Sequence, residues 1–395
     1  MSVATHELSR TTVLTPAVPL AAGERELRID LFRGLALWLI FIDHLSPDFL
    51  TWFTIRTYGL SDAAEMFIFI SGYTAALVYG RAMFESGMLV ATARIMRRVW
   101  QIYVAHVFLF AVYVAEIYFL ATLVGNPSYL EEMGVVEFLK HSGEATIQAL
   151  LLRYRPLNMD VLPLYIVLMF FLPLILWLIR LKADLALTLS IALYAIAWQF
   201  DLHLMAYPNG FWTFNPFAWQ LMFVFGAWCS LNGTRRMSRI ISLPVTLWVS
   251  IAYLFAAFCL TMTWYFPQLD HHLPVRVEQW IYPIDKTDLD VLRFAHFLAL
   301  AAVTARFVPA GWPGLKSPWL RPLVLCGQHS LEIFCLGVFL AFAGYFLLGE
   351  TSAGAWLHFL LAIIGVMIMT AAAWLASWHK LSDKGRRGSP VARPT

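Results

Sequence analysis

The stretch "RIDLFRGLALWLIFIDHL", residues Arg28–Leu45, inserts ionisable side chains into an otherwise apolar run. Its length and hydrophobicity are typical of a membrane-spanning helix, which needs roughly 20 mostly apolar residues. A charge near the centre of such a helix costs roughly 2.5–3.5 kcal/mol on insertion scales, so ionisable groups there are candidates for function. Besides Arg28 at its start, the stretch carries four ionisable groups: Asp30, Arg33, Asp43 and His44.

Composition predicts an all-α polytopic integral membrane protein. Of its 395 residues, 60% are hydrophobic and 13% are charged, whereas soluble domains are about 45–50% apolar and about 25% charged. A net charge of +3 is too small to indicate a nucleic-acid partner. The expected partner of so apolar a chain is the lipid bilayer. The four cysteines lie in apolar runs without a CxxC pair, so we expect free thiols and no metal site.

Ten runs are long and apolar enough to predict membrane spans. They lie at about residues 30–50, 62–80, 98–122, 161–180, 185–200, 214–231, 244–266, 291–308, 323–347 and 354–378. No apolar core precedes Leu31, so we expect a retained first helix rather than a cleaved signal peptide. The predicted organisation is a disordered cytoplasmic N-terminus (1–28), a transmembrane domain (29–379) and a disordered basic cytoplasmic tail (380–395).

The distribution of basic residues predicts which side of the membrane each loop faces. The N-terminus and alternate loops hold 21 of the 28 lysines and arginines, and the opposite loops hold the other seven. Because cytoplasmic loops are enriched in these residues, we expect both termini in the cytoplasm, in agreement with an even number of spans. The longest opposite loop, 124–160, contains an amphipathic stretch that suits the membrane surface.

Arg33 and His44 lie on one face of the first span. They are 11 residues apart, which is about three helical turns and a rise of about 16 Å. The spacing predicts an anion-binding group at the cytoplasmic end and, because histidine titrates near neutral pH, a general base at His44 towards the outside. In the alternative, Asp30 and Arg33 form only a snorkelling ion pair at the helix start. Asp43 points about 100° away from His44, and the sequence assigns it no role.

The second span opens with "SDAAEMFIFISGY", residues 61–73. Asp62 and Glu65 have the spacing of a capping box, which would satisfy the helix N-terminus without any chemistry. The functional alternative is that Glu65 turns inward and orients His44, as the carboxylate of a catalytic triad orients its base. Ser71 suits close packing between helices, and an oxyanion donor is its functional alternative.

Basic residues at the start of the third span form a stripe on one helix face. The stripe consists of Arg94, Arg97, Arg98 and Gln101. Arginines in such a cluster can bind phosphates bidentately, although basic residues at the inner interface also serve as ordinary topology anchors. Further polar candidates for donor or substrate binding lie where spans begin: Asp160, Gln328 and Ser330.

Several catalytic and transport motifs are absent from the sequence. No GxxxxGK[ST], GxSxG or HExxH pattern occurs, so ATP-driven transport, serine-hydrolase and zinc-protease activities are unsupported. The main alternative to an enzyme is a secondary transporter that uses Arg33, Glu65 and His44 as a proton or anion relay. The lack of an internal repeat weighs against a transporter, and a non-catalytic membrane scaffold is a third alternative.

Six segments, in order along the chain, resemble the osmoregulated periplasmic glucan succinyltransferase (OpgC) family. This family belongs to the membrane-embedded acyltransferases related to acyltransferase family three. The segments are "RIDLFRGLALWLIFIDHL", "GLSDAAEMFIFISGYTAALVYG", "MRRVWQIYVAHVFLF", "NMDVLPLYIVL", "NPFAWQLMFVFGAW" and "LCGQHSLEIFCLGVFL", and the resemblance covers about residues 28–380. The wider superfamily has an arginine, ten residues and a histidine in its first span, and Arg33 and His44 match that spacing.

The resemblance implies an O-acyltransferase of the bacterial inner membrane. It implies a cytoplasmic acyl-CoA donor, with succinyl-CoA expected, and hydroxyls of a periplasmic glucan as acceptor. His44 and Glu65 would then be catalytic, and donor or substrate binding would fall to Asp30, Arg33, Arg97, Arg98, Gln101, Ser71, Asp160, Gln328 and Ser330. Acyl-CoA is a substrate, so no permanently bound cofactor is expected. The choice between direct transfer and an acyl-histidine stays open, and the sequence does not define the oligomeric state.

Overall fold

The computed structural model describes residues 26–46, 49–266, 268, 282–351 and 354–388. Within these residues the fold is α-helical as predicted, and the only extended pairing is an isolated bridge between Met205 and Phe211. Fifteen α-helices occur in the described ranges: α1 (Leu27–Leu45), α2 (Ala63–Ser86), α3 (Met88–Val124), α4 (Ser128–Glu132), α5 (Val136–Lys140), α6 (Ser142–Leu150), α7 (Val161–Leu181), α8 (Ala183–Phe200), α9 (Pro216–Trp228), α10 (Thr234–Ser242), α11 (Pro244–Tyr265), α12 (Val291–Phe307), α13 (Arg321–Gln328), α14 (Ser330–Gly349) and α15 (Ala355–Gly388).

Seven of the described helices are long and apolar enough to cross a membrane: α2, α3, α7, α8, α11, α14 and α15. The three other predicted spans coincide with helices that are shorter or more charged. α1 contains four acidic or basic residues besides His44, α9 has 13 residues and α12 has 17. The chain is thus a multi-pass membrane protein, whereas a total of ten spans and the cytoplasmic position of both termini stay predictions.

Several boundaries differ from those predicted. The span predicted over 323–347 consists of two helices, because the backbone at His329 leaves helical geometry between α13 and α14. α3 begins at Met88, well before the predicted start at 98. α15 continues to Gly388 and so includes the start of the segment that we predicted to be a disordered tail. The predicted N-terminal segment lies almost entirely outside the described residues.

The loop between α3 and α7 folds into three short helices, α4, α5 and α6, rather than one amphipathic stretch. Tyr129 and Ala145 bury their side chains against the bundle. The hydroxyl of Tyr154 donates a hydrogen bond to the carbonyl oxygen of Gly134 at 2.6 Å. The loop is therefore packed onto the bundle, in a position to contribute to a site at that end.

α1 lies against α2, α13 and α14 in the bundle. At Gly34 a Cβ atom would lie 1.9 Å from a carbonyl oxygen of α13, and at Gly327 it would lie 1.9 Å from a carbonyl oxygen of α1. Gly72 of α2 and Gly226 of α9 meet the backbone of the facing helix in the same way. Small residues let membrane helices approach closely, so these two glycine pairs fix the positions of α1 and α2.

Loops that we predict on the same side of the membrane meet at the same end of the bundle. At the end predicted to be cytoplasmic, Arg28 donates to the carbonyl oxygen of Val308 at 3.5 Å, and Lys380 Nζ lies 3.3 Å from His329 Nδ1. At the opposite end, the loops between α1 and α2, α3 and α7, and α11 and α12 line one cavity. The alternation of loops is therefore consistent between sequence and structure.

Gly327→Ala should destabilise the protein, because the new methyl group would overlap the backbone of α1. Overpacking of this kind costs roughly 1–3 kcal/mol, so we expect a lower thermal unfolding midpoint in detergent. Gly143→Ala is the matched control, because nothing lies within 4 Å of its Cβ position. Equal midpoints for the two variants would contradict the close packing of α1 and α13.

Candidate active site

A cavity of about 610 Å³ opens at the end of the bundle where α1, α2, α7 and α14 meet. Apolar side chains of these helices form much of its surface. Its polar lining comes from helix ends and from several loops: Asp43, His44, Arg56, Asp62, Glu132, Asn158, Asp160, Thr213, Lys286 and Tyr345. The structure thus brings together two of the predicted site residues, His44 and Asp160.

His44 lies on the cavity surface with its ring held by its own helix. Its Nδ1 atom is 2.6 Å from the carbonyl oxygen of Ile40, one turn earlier. Because a carbonyl oxygen only accepts hydrogen bonds, Nδ1 carries the proton of the neutral ring and Nε2 keeps its lone pair. The geometry therefore leaves Nε2 as the proton acceptor that a general base requires.

Asp43 has a role in the structure that the sequence did not indicate. Its Oδ1 atom accepts a 2.6 Å hydrogen bond from the hydroxyl of Thr54. Thr54 directly follows a short 3-10 helix, Leu50–Phe53, in the loop between α1 and α2. Asp43 therefore ties this loop to the end of α1, and the same loop carries Arg56 to the cavity.

The capping box predicted at the start of α2 is confirmed. The Asp62 amide donates to Glu65 Oε2 at 2.8 Å, and the Ala64 amide donates to Asp62 Oδ1 at 2.8 Å. Glu65 is completely buried, and its other oxygen, Oε1, accepts hydrogen bonds from Arg293 Nε at 2.9 Å and from Arg293 Nη2 at 2.5 Å. Both carboxylate oxygens of Glu65 are therefore occupied.

These contacts correct the expectation that Glu65 orients His44 directly. Among the described residues no hydrogen bond joins the two side chains. Nδ1 of His44, the atom that a triad carboxylate would accept from, is bound to its own helix, and Glu65 is bound to Arg293. The physical reason is that a fully buried carboxylate needs a cation, and Arg293 supplies one. Glu65 therefore affects the cavity indirectly, because its pairing with Arg293 joins α2 to α12.

Lys286 and Arg293 share the carboxylate of Asp62. Lys286 Nζ lies 2.6 Å and Arg293 Nη2 lies 3.3 Å from the same oxygen, Oδ2. Together with Glu65 these residues form a cluster of two carboxylates and two cations, which we call the four-charge cluster. It joins the start of α2 to α12 and to the loop before α12.

Asp160 directly precedes α7 and lines the cavity. Its Oδ1 atom lies 3.4 Å from Arg155 Nε, and the Arg155 guanidinium lies 4.3 Å from the ring centroid of Trp212. Burial raises the pKa of Asp160 above its ordinary value, although Arg155 and a hydrogen bond with Thr213 oppose that shift. The carboxyl group is therefore held in a fixed place by its neighbours.

The remaining predicted residues of α1 and α2 lie outside the cavity lining. Arg33 donates to the carbonyl oxygen of Ile70 at 3.4 Å and to the hydroxyl of Thr74. Asp30 and Ser71 are buried. Arg33 thus bridges α1 and α2 at the opposite end of α1 from His44, as the spacing predicted.

The predicted residues of α3, α13 and α14 also lie outside the cavity lining. Gln328 and Ser330 flank the break at His329, whose Nε2 atom is 2.8 Å from the hydroxyl of Ser377. Arg97 and Gln101 are exposed on α3, and Arg98 donates to the side chain of Gln101 at 3.3 Å. These residues therefore remain candidates for donor binding that the described contacts do not test.

Sequence reasoning missed most of the polar cavity lining. Lys286 contributed only to the count of basic residues in loops, and Asn158, Thr213 and Tyr345 gave no local signal. Each comes from a segment far along the chain from α1, and no local pattern reports such proximity. Arg293, which belongs to the four-charge cluster and not to the cavity lining, did give a signal. It lies inside the predicted span 291–308, where a cation needs a buried acid such as Glu65.

The fold and the site define a multi-pass membrane protein with a histidine-containing polar cavity at one end of its helical bundle. A sequence model described as OpgC protein matches residues 25–381. The chain therefore belongs to the OpgC family, and this membership indicates an acyltransferase-like membrane protein related to osmoregulated periplasmic glucans. No curated protein and no solved structure matched the chain.

Glu65→Ala and Arg293→Ala should each destabilise the protein by roughly 3–5 kcal/mol, because each leaves a buried charge without its partner. The double variant should lose less stability than the sum of the losses in the two single variants, because it removes both charges. Thermal unfolding of the purified variants in detergent measures this cycle.

The exposed pair Asp184–Arg236, at 3.0 Å, provides the control for this cycle. We expect its coupling energy to be about 0–1 kcal/mol, as for other surface ion pairs. Strictly additive costs at Glu65 and Arg293 would contradict the buried pairing.

Proposed function

We propose that this chain is an O-acyltransferase that moves an acyl group, a succinyl group by its family resemblance, from cytoplasmic acyl-CoA to hydroxyls of a periplasmic glucan. The observation that carries the proposal is the free Nε2 atom of His44 on the surface of a polar cavity. A base with a fixed tautomer beside a substrate-sized cavity suits proton removal from a sugar hydroxyl. The proposal puts the protein in the bacterial inner membrane, with the cavity towards the periplasm.

The transfer needs one proton acceptor and no covalent enzyme intermediate. His44 Nε2 takes the proton of the attacking hydroxyl as its oxygen bonds to the thioester carbonyl carbon. The resulting tetrahedral intermediate collapses, the carbon–sulfur bond breaks, and the departing thiolate of CoA takes the proton from His44. No serine or cysteine lies among the described residues that line the cavity, which supports direct transfer over an acyl-serine or acyl-cysteine.

The separation of Arg33 from His44 suits a donor that reaches along α1. The rise between them is about 16 Å, and Arg33 bridges α1 and α2 at the other end of the helix. We propose that Arg33, with Arg97 and Arg98, attracts the phosphates of CoA, while the pantetheine arm extends towards His44. Guanidinium groups suit this role because they bind phosphates bidentately.

Neutral and acidic side chains of the cavity suit the acceptor. Asn158, Asp160 and Thr213 present amide, carboxyl and hydroxyl groups to the cavity beside His44. Groups of these types can donate and accept hydrogen bonds with sugar hydroxyls. We propose that they orient one glucan hydroxyl towards Nε2 of His44.

His44→Ala should abolish acyl transfer, because no other histidine lines the cavity among the described residues. The measurement is transfer from labelled succinyl-CoA to a β-glucan by purified protein in detergent, with donor binding measured in parallel. His141→Ala is the matched control, since His141 is exposed on the surface loop and should leave transfer unchanged. Normal transfer by a folded His44→Ala protein would overturn the proposal.

The same assay separates an acyltransferase from a secondary transporter. Product formation in detergent, without sealed vesicles, supports the enzyme. Uptake of the acyl donor or of the glucan that requires sealed vesicles, without formation of an ester, would favour transport instead.

The double variant Arg97→Ala/Arg98→Ala should raise the KM for acyl-CoA about tenfold and leave kcat close to its original value. The loss corresponds to about 1.4 kcal/mol of charge-assisted binding to phosphate, remote from the reacting atoms. Arg180→Ala is the control, because Arg180 is an exposed arginine at the predicted cytoplasmic end of α7. An unchanged KM would remove Arg97 and Arg98 from the donor site.

A further inference from the structure

The cavity contains two cations that the transfer step above does not use. Lys286 Nζ pairs with Asp62 at 2.6 Å and lies 5.3 Å from the ring centroid of Phe214. Arg56 lines the cavity from the loop between α1 and α2. Both cations line the same cavity as His44, where the acyl group would react.

The main chain at Lys286 is held in place although it belongs to a loop. The indole of Trp219, which is completely buried, donates to the carbonyl oxygen of Lys286 at 3.0 Å. The next carbonyl oxygen, that of Thr287, accepts a 3.0 Å hydrogen bond from the backbone amide of Asn215. The Leu289 amide closes the turn onto the Lys286 carbonyl at 3.3 Å. The ammonium group therefore extends into the cavity from a fixed support.

Lys286 retains capacity for a second anionic partner. An ammonium group has three donors, and the described contacts of Nζ include one hydrogen bond, to Asp62. Its side chain is 40% exposed. Asp62 is also paired with Arg293, so its negative charge is shared between two cations. A carboxylate that enters the cavity would complete the coordination of Lys286.

Arg56 provides the second cation of the cavity lining. It is exposed, and no ion pair between described residues includes it. The hydrogen bond between Thr54 and Asp43 fixes the start of the segment that carries it. A planar guanidinium suits a carboxylate because it can donate two parallel hydrogen bonds.

We propose that Lys286 and Arg56 bind the free carboxylate of a dicarboxylic acyl group and so select charged acyl donors over neutral ones. This assignment rests on the proposed acyl transfer at His44. Two cations beside one base would hold the distal end of the acyl group while the thioester carbonyl faces Nε2. Lys286 and Arg56 are then specificity residues, and they take no part in the proton transfer.

The test compares two donors of similar size, succinyl-CoA and butyryl-CoA, whose acyl groups end in a carboxylate and a methyl group. For Lys286→Met we expect the ratio of kcat/KM for succinyl-CoA to that for butyryl-CoA to fall about tenfold or more, as for loss of a hydrogen bond to a charged group. Lys286→Arg should retain most of the ratio. Lys140→Met is the control, because Lys140 is exposed on α5 and outside the cavity.

The ratio of kcat/KM for the two donors distinguishes a role of Lys286 in donor selection from other roles of the same residue. If Lys286 only supports Asp62, or stabilises the tetrahedral oxyanion, Lys286→Met will slow both donors equally, and the unchanged ratio overturns the assignment. Arg56→Met tests the second cation without removing a partner of Asp62, so a folding defect of Lys286→Met does not end the test. An unchanged ratio in Arg56→Met removes Arg56 from the assignment. A wild-type protein that transfers neither acyl group overturns the proposed function itself.

Discussion

The site depends on the need to pair charges that are buried at the end of a membrane bundle. Glu65 is completely buried, and an isolated carboxylate there would cost several kcal/mol. Arg293 neutralises it, and Asp62 and Lys286 complete the four-charge cluster. This cluster holds the start of α2, the start of α12 and the loop before α12 at fixed positions, and the cavity lies between them and α1. The positions of these elements beside the cavity therefore have an electrostatic cause.

The proposed acyl transfer depends on the position of α1 among the helices that surround it. Glycine pairs bring α1 close to α13 and α2 close to α9, and Arg33 bonds α1 to α2 at one end. At the other end His44 faces the cavity with Nε2 as its proton acceptor. One helix thus carries an arginine near one end and a histidine at the other, which is the arrangement that the proposed transfer requires.

The sequence predicted what local patterns can encode. The apolar runs indicated a helical membrane protein, and the Asp62–Glu65 spacing indicated the capping box that the structure contains. The spacing of His44 from Arg33 and the position of Asp160 at the start of a span singled out two residues that do line the cavity. The partners of Glu65 and Asp43 could not be predicted, because Arg293 is 228 residues away from Glu65 and Thr54 reaches Asp43 only through a folded loop. The break at His329 also escaped prediction, since no glycine or proline occupies that position.

The central claim is that the acyl group of the donor reaches the cavity beside His44. A cryo-EM structure with a non-hydrolysable analogue of succinyl-CoA, in which a methylene group separates the sulfur from the carbonyl carbon, tests this most directly. The account predicts that the acyl carbonyl carbon lies near His44 Nε2, with room between them for one hydroxyl oxygen about 3–3.5 Å from the carbon. It also predicts that the nucleotide lies at the Arg33 end of α1. An analogue bound with its acyl group outside the cavity, or with its nucleotide on the His44 side, would contradict the account.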